Sequence, residues 1–344
     1  MKRIAEEDLL HILKYTGSVW DALRNKSIFV TGATGFFGKW LLESFIFANN
    51  KFSLNASLYA LSRNPESFLE QYPYYKKEVS VTFLKGNVQD FIFPDTDFQF
   101  IIHAATDADA TLNNDNPLLM LDTITEGTKR VLEFASKQPL ESFLLTSSGA
   151  VYGKQASSIT HVKEGDFYNV NLNFDDMTYA YAEGKRMAEL YCSLYFKQYS
   201  LPVKIARCFT FVGPHLPLDK HFAIGNFILN GLNKEDIIIK GDGTPHRSYL
   251  YAADLIICLW TMLIKGKNNM AYNVGSDYSI SIKDTADLVA KCFNDNIIVK
   301  VLGKPSNAPA LSYVPSINKM QSELSLSTNI NISEAIIRTI NYYK

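Results

Sequence analysis

The chain has 344 residues, 47% of them hydrophobic and 20% charged, with a net charge of −1. That length and balance suit one large or two closely joined globular domains. They leave no basic excess to drive binding to nucleic acid or an anionic membrane, and no apolar run reaches the length of a membrane span. The opening MKRIAEEDLL carries acids where a signal peptide needs an apolar core. Cys192, Cys208, Cys258 and Cys292 lie far apart with no Cys-x-x-Cys pair, and the histidines show no metal-ligand spacing. The cysteines read as buried thiols of a reducing compartment, so a cytoplasmic protein without a metal site is expected.

Residues 5–24 carry Leu9, Leu10, Ile12 and Leu13, then Val19, Trp20 and Leu23, which predicts two short helical pieces broken near Gly17. They would cover an edge of the domain that follows. From Ser27 onward strands and helices alternate. Ile28-Phe-Val-Thr-Gly-Ala-Thr-Gly-Phe-Phe-Gly38 is a strand, a glycine-rich turn and the start of a helix. In that context the turn means dinucleotide binding. Gly32 makes the turn, Gly35 lets the backbone approach a pyrophosphate, and Gly38 lets the helix pack on the strand. The pyrophosphate would sit at the helix N-terminus, with Thr34, Phe36 and Phe37 around it.

Further strands are predicted at Ser57–Leu61, Val79–Lys85, Phe98–Ala104, Ser142–Ser147 and Val203–Cys208, with long helices over 116–137 and 179–199. This alternation predicts an α/β fold, a doubly wound parallel sheet of the Rossmann kind. After Cys208 glycines and prolines punctuate shorter elements, as in a smaller α/β substrate-binding domain. The expected division is an N-terminal helical extension over 1–26, a dinucleotide-binding domain over 27–208 with returns near 250–275, and a substrate-binding part over 209–344.

The fifth strand runs into Thr146-Ser-Ser-Gly-Ala-Val-Tyr-Gly153, and later comes Tyr181-Ala-Glu-Gly-Lys185. On a helix, residues four apart share a face, so Tyr181 and Lys185 point together. Following a dinucleotide unit and a hydroxyl-rich strand end, this pair marks a catalytic site.

These motifs resemble the extended short-chain dehydrogenase/reductase family, of the nucleotide-sugar epimerase/dehydratase type. The resemblance also runs through Gly86-Asn-Val-Gln-Asp90, His103-Ala-Ala105, Arg207-Cys-Phe-Thr-Phe-Val-Gly-Pro214, Gly241-Asp-Gly-Thr-Pro-His-Arg247 and Asn273-Val-Gly275. It implies that Tyr181 is the acid/base, helped by Lys185 and Ser148, and that Lys185 also holds the cofactor ribose. Asn87 and Val88 stand where the adenine is contacted, and His103, Ala104 and Ala105 line the cofactor. Arg247 and Asn226 stand where a nucleotide diphosphate is gripped, with Gly149 and Thr210 beside the sugar; His215 and His221 lie near the expected sugar pocket. A homodimer is implied by the apolar outer faces of the two long helices, including Met187, Leu190 and Leu194.

Departures from the family pattern narrow the chemistry. Dehydratases of this type carry an Asp-Glu or Asp-Lys pair where this chain has Gly149-Ala150, and the related decarboxylases carry a glutamate at Ala150. Ile124 and Thr210 replace two usual asparagines. Ser62 and Arg63 end the second strand, with no acid before Glu66 to accept from an adenosine ribose, so NADP(H) is favoured over NAD. The expected activity is hydride transfer at C4 of a nucleotide-linked sugar, reducing a 4-keto sugar. A 4-epimerase that retains its cofactor is the alternative, and a catalytically silent binding protein the remaining one.

Overall fold

The computed structural model describes residues 2–106, 110–156, 158–166, 179–220, 222–293, 296–304 and 309–344. The regular elements begin with α1 (Glu6–Thr16), β1 (Ser27–Thr31), α2 (Phe36–Phe52), β2 (Ser57–Ser62), α3 (Pro65–Gln71), β3 (Val81–Lys85), β4 (Phe100–His103) and α4 (Ala110–Asp115). There follow α5 (Pro117–Ala135), β5 (Ser142–Ser148), α6 (Tyr179–Tyr199), β6 (Val203–Cys208), β7 (Phe211–Val212), α7 (Ala223–Leu232), β8 (Ile237–Ile239), β9 (His246–Arg247) and β10 (Leu250–Tyr251). The chain closes with α8 (Ala252–Lys265), β11 (Met270–Val274), β12 (Ile280–Ser281), α9 (Ile282–Lys291), β13 (Val299–Val301), β14 (Ser312–Tyr313), α10 (Asn318–Leu324) and α11 (Ile332–Tyr343). Two units separate: Met1–Val151, Leu172–Arg207 and Ile256–Tyr272 form the first, and Tyr152–Asn171, Cys208–Leu255 and Asn273–Lys344 the second.

The first unit is built on a seven-stranded parallel sheet of order β11-β6-β5-β4-β1-β2-β3, a Rossmann-like α/β fold. β1 pairs with β2 on one side and β4 on the other, so the order reverses between β1 and β4. Ligands of open α/β sheets bind at such a reversal, beyond the carboxyl ends of the strands. β4 is buried along its whole length, as a strand covered on both faces must be. Phe29 packs on Phe91, Phe98 and Phe134, with ring centroids 5.1–5.5 Å apart, and this aromatic cluster anchors β1 against α5.

α5 starts with Pro117 at its first turn, while the Asn116 side chain accepts from the Leu119 amide. It packs against α6 where Ile124 meets Gly184; a Cβ on Gly184 would stand 3.1 Å from Ile124 Cδ1. Ile124 is 1% exposed, so this departure from the family's asparagine is an apolar packing contact.

In the second unit β9 lies between β12 and β14, β7 pairs with β10, and β8 with β13. Asp254 accepts from the amides of Asn329 and Ile330, tying the start of α8 to the segment before α11.

Several element boundaries differ from expectation. The third strand begins at Val81 because Val79 is fully exposed, and the fourth spans only Phe100–His103. The short helices α3 and α4 were not visible in the periodicity. The N-terminal pieces pack on helices α2 and α8, with Trp20 and Trp260 centroids 5.1 Å apart. Cys192, Cys208 and Cys258 are buried, but Cys292 is only half-buried.

Candidate functional site

β1 delivers Thr31 into the glycine turn. Gly32 has φ +71°, and a Cβ there would lie 2.5 Å from the Ala104 carbonyl oxygen. Both the backbone conformation and the approach of β4 therefore require glycine. At Gly38 a Cβ would stand 2.3 Å from the Ala33 carbonyl, so α2 can lie on the turn only without a side chain there. Gly35 is exposed and stands at the N-cap of α2 with φ −79° and ψ −171°, where it makes no side-chain cap. Thr34, Phe36 and Phe37 are half-exposed around this turn, with the two phenyl centroids 5.6 Å apart. A helix start whose N-cap is a glycine, with its dipole at the glycine turn, fits a pyrophosphate.

The end of β4 is locked to β1 by side chains. Thr31 Oγ1 accepts from the amides of Ala104 (3.2 Å) and Ala105 (3.1 Å), which leaves its proton for His103 Nδ1 at 2.7 Å. His103 is then protonated on Nε2 and donates to Thr128 Oγ1 at 3.1 Å. Burial, then the Lys185 charge, lower the His103 pKa to about 3, so the imidazole is neutral. Its ring is a structural strut, while Ala104 and Ala105 after it are half-exposed.

β5 and α6 carry the expected reacting groups. Lys185 is 3% exposed and donates to Thr146 O (2.9 Å) and Thr106 Oγ1 (2.8 Å). Its ammonium lies 5.9 Å from the centre of the Tyr181 ring, one turn back on the same face. Tyr181 is half-buried, and its amide is capped by Asn113 Oδ1 at 3.2 Å. Ser148 Oγ accepts from the Ala150 amide at 3.1 Å, which orients the hydroxyl to donate its own proton. Arg186 Nε donates to Val151 O at 2.6 Å, holding the turn that contains Gly149 and Ala150.

At the end of β2, Ser62 is buried and Arg63 exposed, while Asn64 caps α3 through the Ser67 amide. Glu66, the first acid after β2, is 3.4 Å from Lys85 on β3. Asn87 bonds Gln89, and Val88 is packed so closely on α5 that a Cβ at Gly127 would reach its Cγ1 at 2.8 Å.

The second unit holds Thr210, Asn226 and Arg247. Thr210 Oγ1 is buried without a hydrogen-bond partner among the described residues. Asn226 is half-exposed on α7, and Arg247 on β9 donates to the His246 carbonyl with its guanidinium 5.9 Å from the Tyr313 ring centre. Tyr152 donates to Asn273 Oδ1 at 2.6 Å, and both Asn273 side-chain protons are used on Val162 O and Ser316 O. Tyr152 is therefore a packing residue. His215 is buried with its Nδ1 3.0 Å from Tyr342 Oη, and His221 lies outside the described residues.

The glycine cradle and the Tyr181–Lys185 face sit on a chain whose residues 28–275 match the model of the NAD dependent epimerase/dehydratase family. The chain belongs to this family. UDP-glucuronic acid decarboxylase 6 of Arabidopsis thaliana is 25% identical over 312 residues, 91% of this chain and 87% of that one. The dTDP-D-glucose 4,6-dehydratase of Dictyostelium discoideum is 30% identical over 281 residues, 77% of this chain and 62% of that protein. Among solved structures, an epimerase of Methanothermobacter thermautotrophicus matches with a TM-score of 0.80 at 22% identity, covering 96% of both chains. The UDP-glucose 4-epimerase of Thermotoga maritima matches with a TM-score of 0.76 at 18% identity, covering 92% of this chain and 98% of that one. Both structures support the fold.

As an epimerase/dehydratase family member the chain is an NAD-dependent type of enzyme acting on nucleotide sugars. Among the described residues no cluster of His, Cys, Asp or Glu could hold a metal ion, and no helix is long and apolar enough to cross a membrane. Sequence reasoning missed Thr106, Asn113, Ser147, Arg186 and Glu189. Glu189 was within reach, since it lies four residues beyond Lys185 on the same inward face.

Proposed function

We propose that the chain transfers hydride from NADPH to C4 of a nucleotide-diphosphate 4-keto sugar. The observation that carries this reading is the Lys185 ammonium, fixed on Thr146 O one helical turn from Tyr181. Tyr181 gives its phenolic proton to the ketone oxygen as the alcohol forms. A free tyrosine has a pKa of about 10, and the Lys185 charge stabilises the phenolate left behind. Ser148, already accepting from Ala150, hydrogen-bonds the same oxygen through its own proton, which it keeps. The bound nicotinamide supplies the hydride. Gly32, Gly35 and Gly38 would hold its pyrophosphate, and Lys185 its ribose.

Gly149 and Ala150 follow Ser148 directly. Neither can remove a C5 proton or expel a C6 hydroxyl, so dehydration is disfavoured despite the dehydratase relative. Ala150 likewise lacks the carboxylate that the related decarboxylases carry at this position. In the second unit Arg247 has the planar fork that bonds two diphosphate oxygens, with Asn226 on the same ligand. The orphaned Thr210 hydroxyl suits a sugar hydroxyl.

NADP(H) is favoured by the end of β2, where Arg63 is exposed and no carboxylate would repel a 2′-phosphate. A second reading, 4-epimerisation with retained NAD, is favoured by the likeness to the UDP-glucose 4-epimerase and by the room beside Gly149 and Ala150. Purified protein mixed with NADPH and UDP- or dTDP-4-keto sugars should lose absorbance at 340 nm. Interconversion of UDP-glucose and UDP-galactose without net NADPH loss would install the second reading, and neither activity would overturn both.

The assembly proposed is a homodimer. Met187 (41%), Leu190 (51%) and Leu194 (40%) are exposed on α6. Leu121, Met187, Leu190 and Tyr191 line a groove between α5 and α6 that also carries Asp122 and Arg186. A patch holding both charge signs beside apolar residues suits an isologous contact, in which each helix pair meets its own copy.

A further inference from the structure

Glu189 is a largely buried carboxylate outside the reacting groups, and its bonds connect three elements. Ser147 Oγ on β5 donates to its Oε1 at 2.6 Å. Arg207 on β6 grips it with a fork, Nε to Oε1 at 3.0 Å and Nη2 to Oε2 at 2.7 Å. The ion pair is buried, with side-chain exposures of 5% for Arg207 and 12% for Glu189. A buried pair of this kind adds little net stability over an apolar pair of equal volume, so stability alone does not account for it. Its position does. Tyr181, Lys185 and Glu189 follow one another at four-residue spacing along one face of α6. Ser147 immediately precedes Ser148. Lys185 bonds Thr146 O and Arg186 bonds Val151 O, so α6 holds β5 and the turn after it on both sides of Ser148.

We propose that Ser147 and Glu189 are positioning residues, with Arg207 as their brace, which fix the register of α6 against β5 and so set Ser148 relative to Tyr181. This rests on the reading of Tyr181 as the acid/base. Of the hydrogen bonds described above from α6 to this segment, those of Lys185 and Arg186 go to backbone carbonyls and that of Glu189 comes from a β5 side chain. Loss of the Ser147 hydroxyl leaves Glu189 still paired with Arg207, so charge balance is kept and only the tether is cut. The charges around Tyr181 are then unchanged. Lys185 stays on its face, Glu183 remains paired with Arg186 at 2.6 Å, and His103 on β4 is neutral. With no sugar bound, the Ser148 hydroxyl that would donate to the ketone oxygen is the donor offered to the Tyr181 phenolate, and a slackened register withdraws it, which favours the protonated phenol.

The test needs no sugar substrate. The protein is labelled with [13Cζ]tyrosine and saturated with the nicotinamide cofactor it binds. The Tyr181 resonance is assigned by its loss in Tyr181→Phe and titrated by NMR. In Ser147→Ala the Tyr181 pKa should rise by about half a unit or more, and Ser147→Thr, which keeps the hydroxyl, should return it toward the parent value. A Ser147→Ala protein that folds and titrates like the parent would overturn the proposal. If Ser147→Thr overpacks the buried strand, the comparison of Ser147→Ala with parent still decides. A parent Tyr181 that titrates like a free tyrosine would instead strike the acid/base reading, so the two failures are distinguishable.

Discussion

The Thr31 hydroxyl lies 2.7 Å from His103 Nδ1, and through it the ends of β1 and β4 are tied together. The imidazole in this lock is neutral, its pKa lowered to about 3 by burial and the nearby Lys185. An unfolded histidine titrates near 6.5, so between these values the unfolded chain binds the extra proton. The stability tied to neutral His103 is complete above pH 6.5 and falls as pH drops, by roughly 1.4 kcal/mol per pH unit at most. Urea unfolding at pH 7 and pH 5 measures this. His103→Gln should be less stable at pH 7 yet lose less on acidification, and equal acid sensitivity in the two proteins would contradict the lock.

The three glycines of the turn have separable duties. Gly38→Ala forces a Cβ against the Ala33 carbonyl and should cost about 1–3 kcal/mol of stability. At Gly35 φ is −79° and the nearest atom to a new Cβ is 3.3 Å away, so Gly35→Ala should fold with nearly parental stability. Its methyl group would occupy the phosphate approach, and cofactor affinity should fall at least about tenfold, or ~1.4 kcal/mol. Melting temperature and cofactor titration on both variants check this. Parental affinity in Gly35→Ala would remove the pyrophosphate from the turn.

Lys185→Met removes the ammonium that bonds Thr106 and Thr146. Cofactor binding should weaken, and without the cation the Tyr181 phenolate is less stable, so the rate profile should move to higher pH. A pH–rate profile of the variant that overlays the parent's would show that Lys185 does not tune the tyrosine.

Arg63→Ala should weaken NADPH binding by roughly 1.5–3 kcal/mol through loss of a charge-assisted phosphate bond, and leave NADH almost unaffected. Equal losses for both, or a parental preference for NADH, would move 4-epimerisation ahead of reduction.

Light scattering at micromolar concentration should give twice the 38.8 kDa chain mass, and one chain mass would contradict the homodimer.

The parts of the candidate site legible in the sequence are those whose geometry is local. Gly32, Gly35 and Gly38 act within one turn, and Tyr181 and Lys185 act through the spacing of one helix. What escaped is bonding between elements distant in the chain. Thr106 and Thr146 meet Lys185 only after β4 and β5 pair, and Arg207 meets Glu189 only after β6 docks. The two-residue strands β9 and β14 carry no periodicity of their own, because their pairing is set by a partner more than sixty residues away.

The proposed reaction takes a proton from Tyr181 and a hydride to C4, with no chemistry at C5. Single turnover with C4-deuterated NADPH and a nucleotide-diphosphate 4-keto sugar in ordinary water, followed by mass spectrometry and NMR of the product, tests it directly. The expected result is one deuterium at C4, none exchanged at C5 when the reaction is repeated in deuterated water, and a rate at least about 10²-fold lower in Tyr181→Phe. Solvent deuterium at C5, or a Tyr181→Phe protein as fast as the parent, would contradict it.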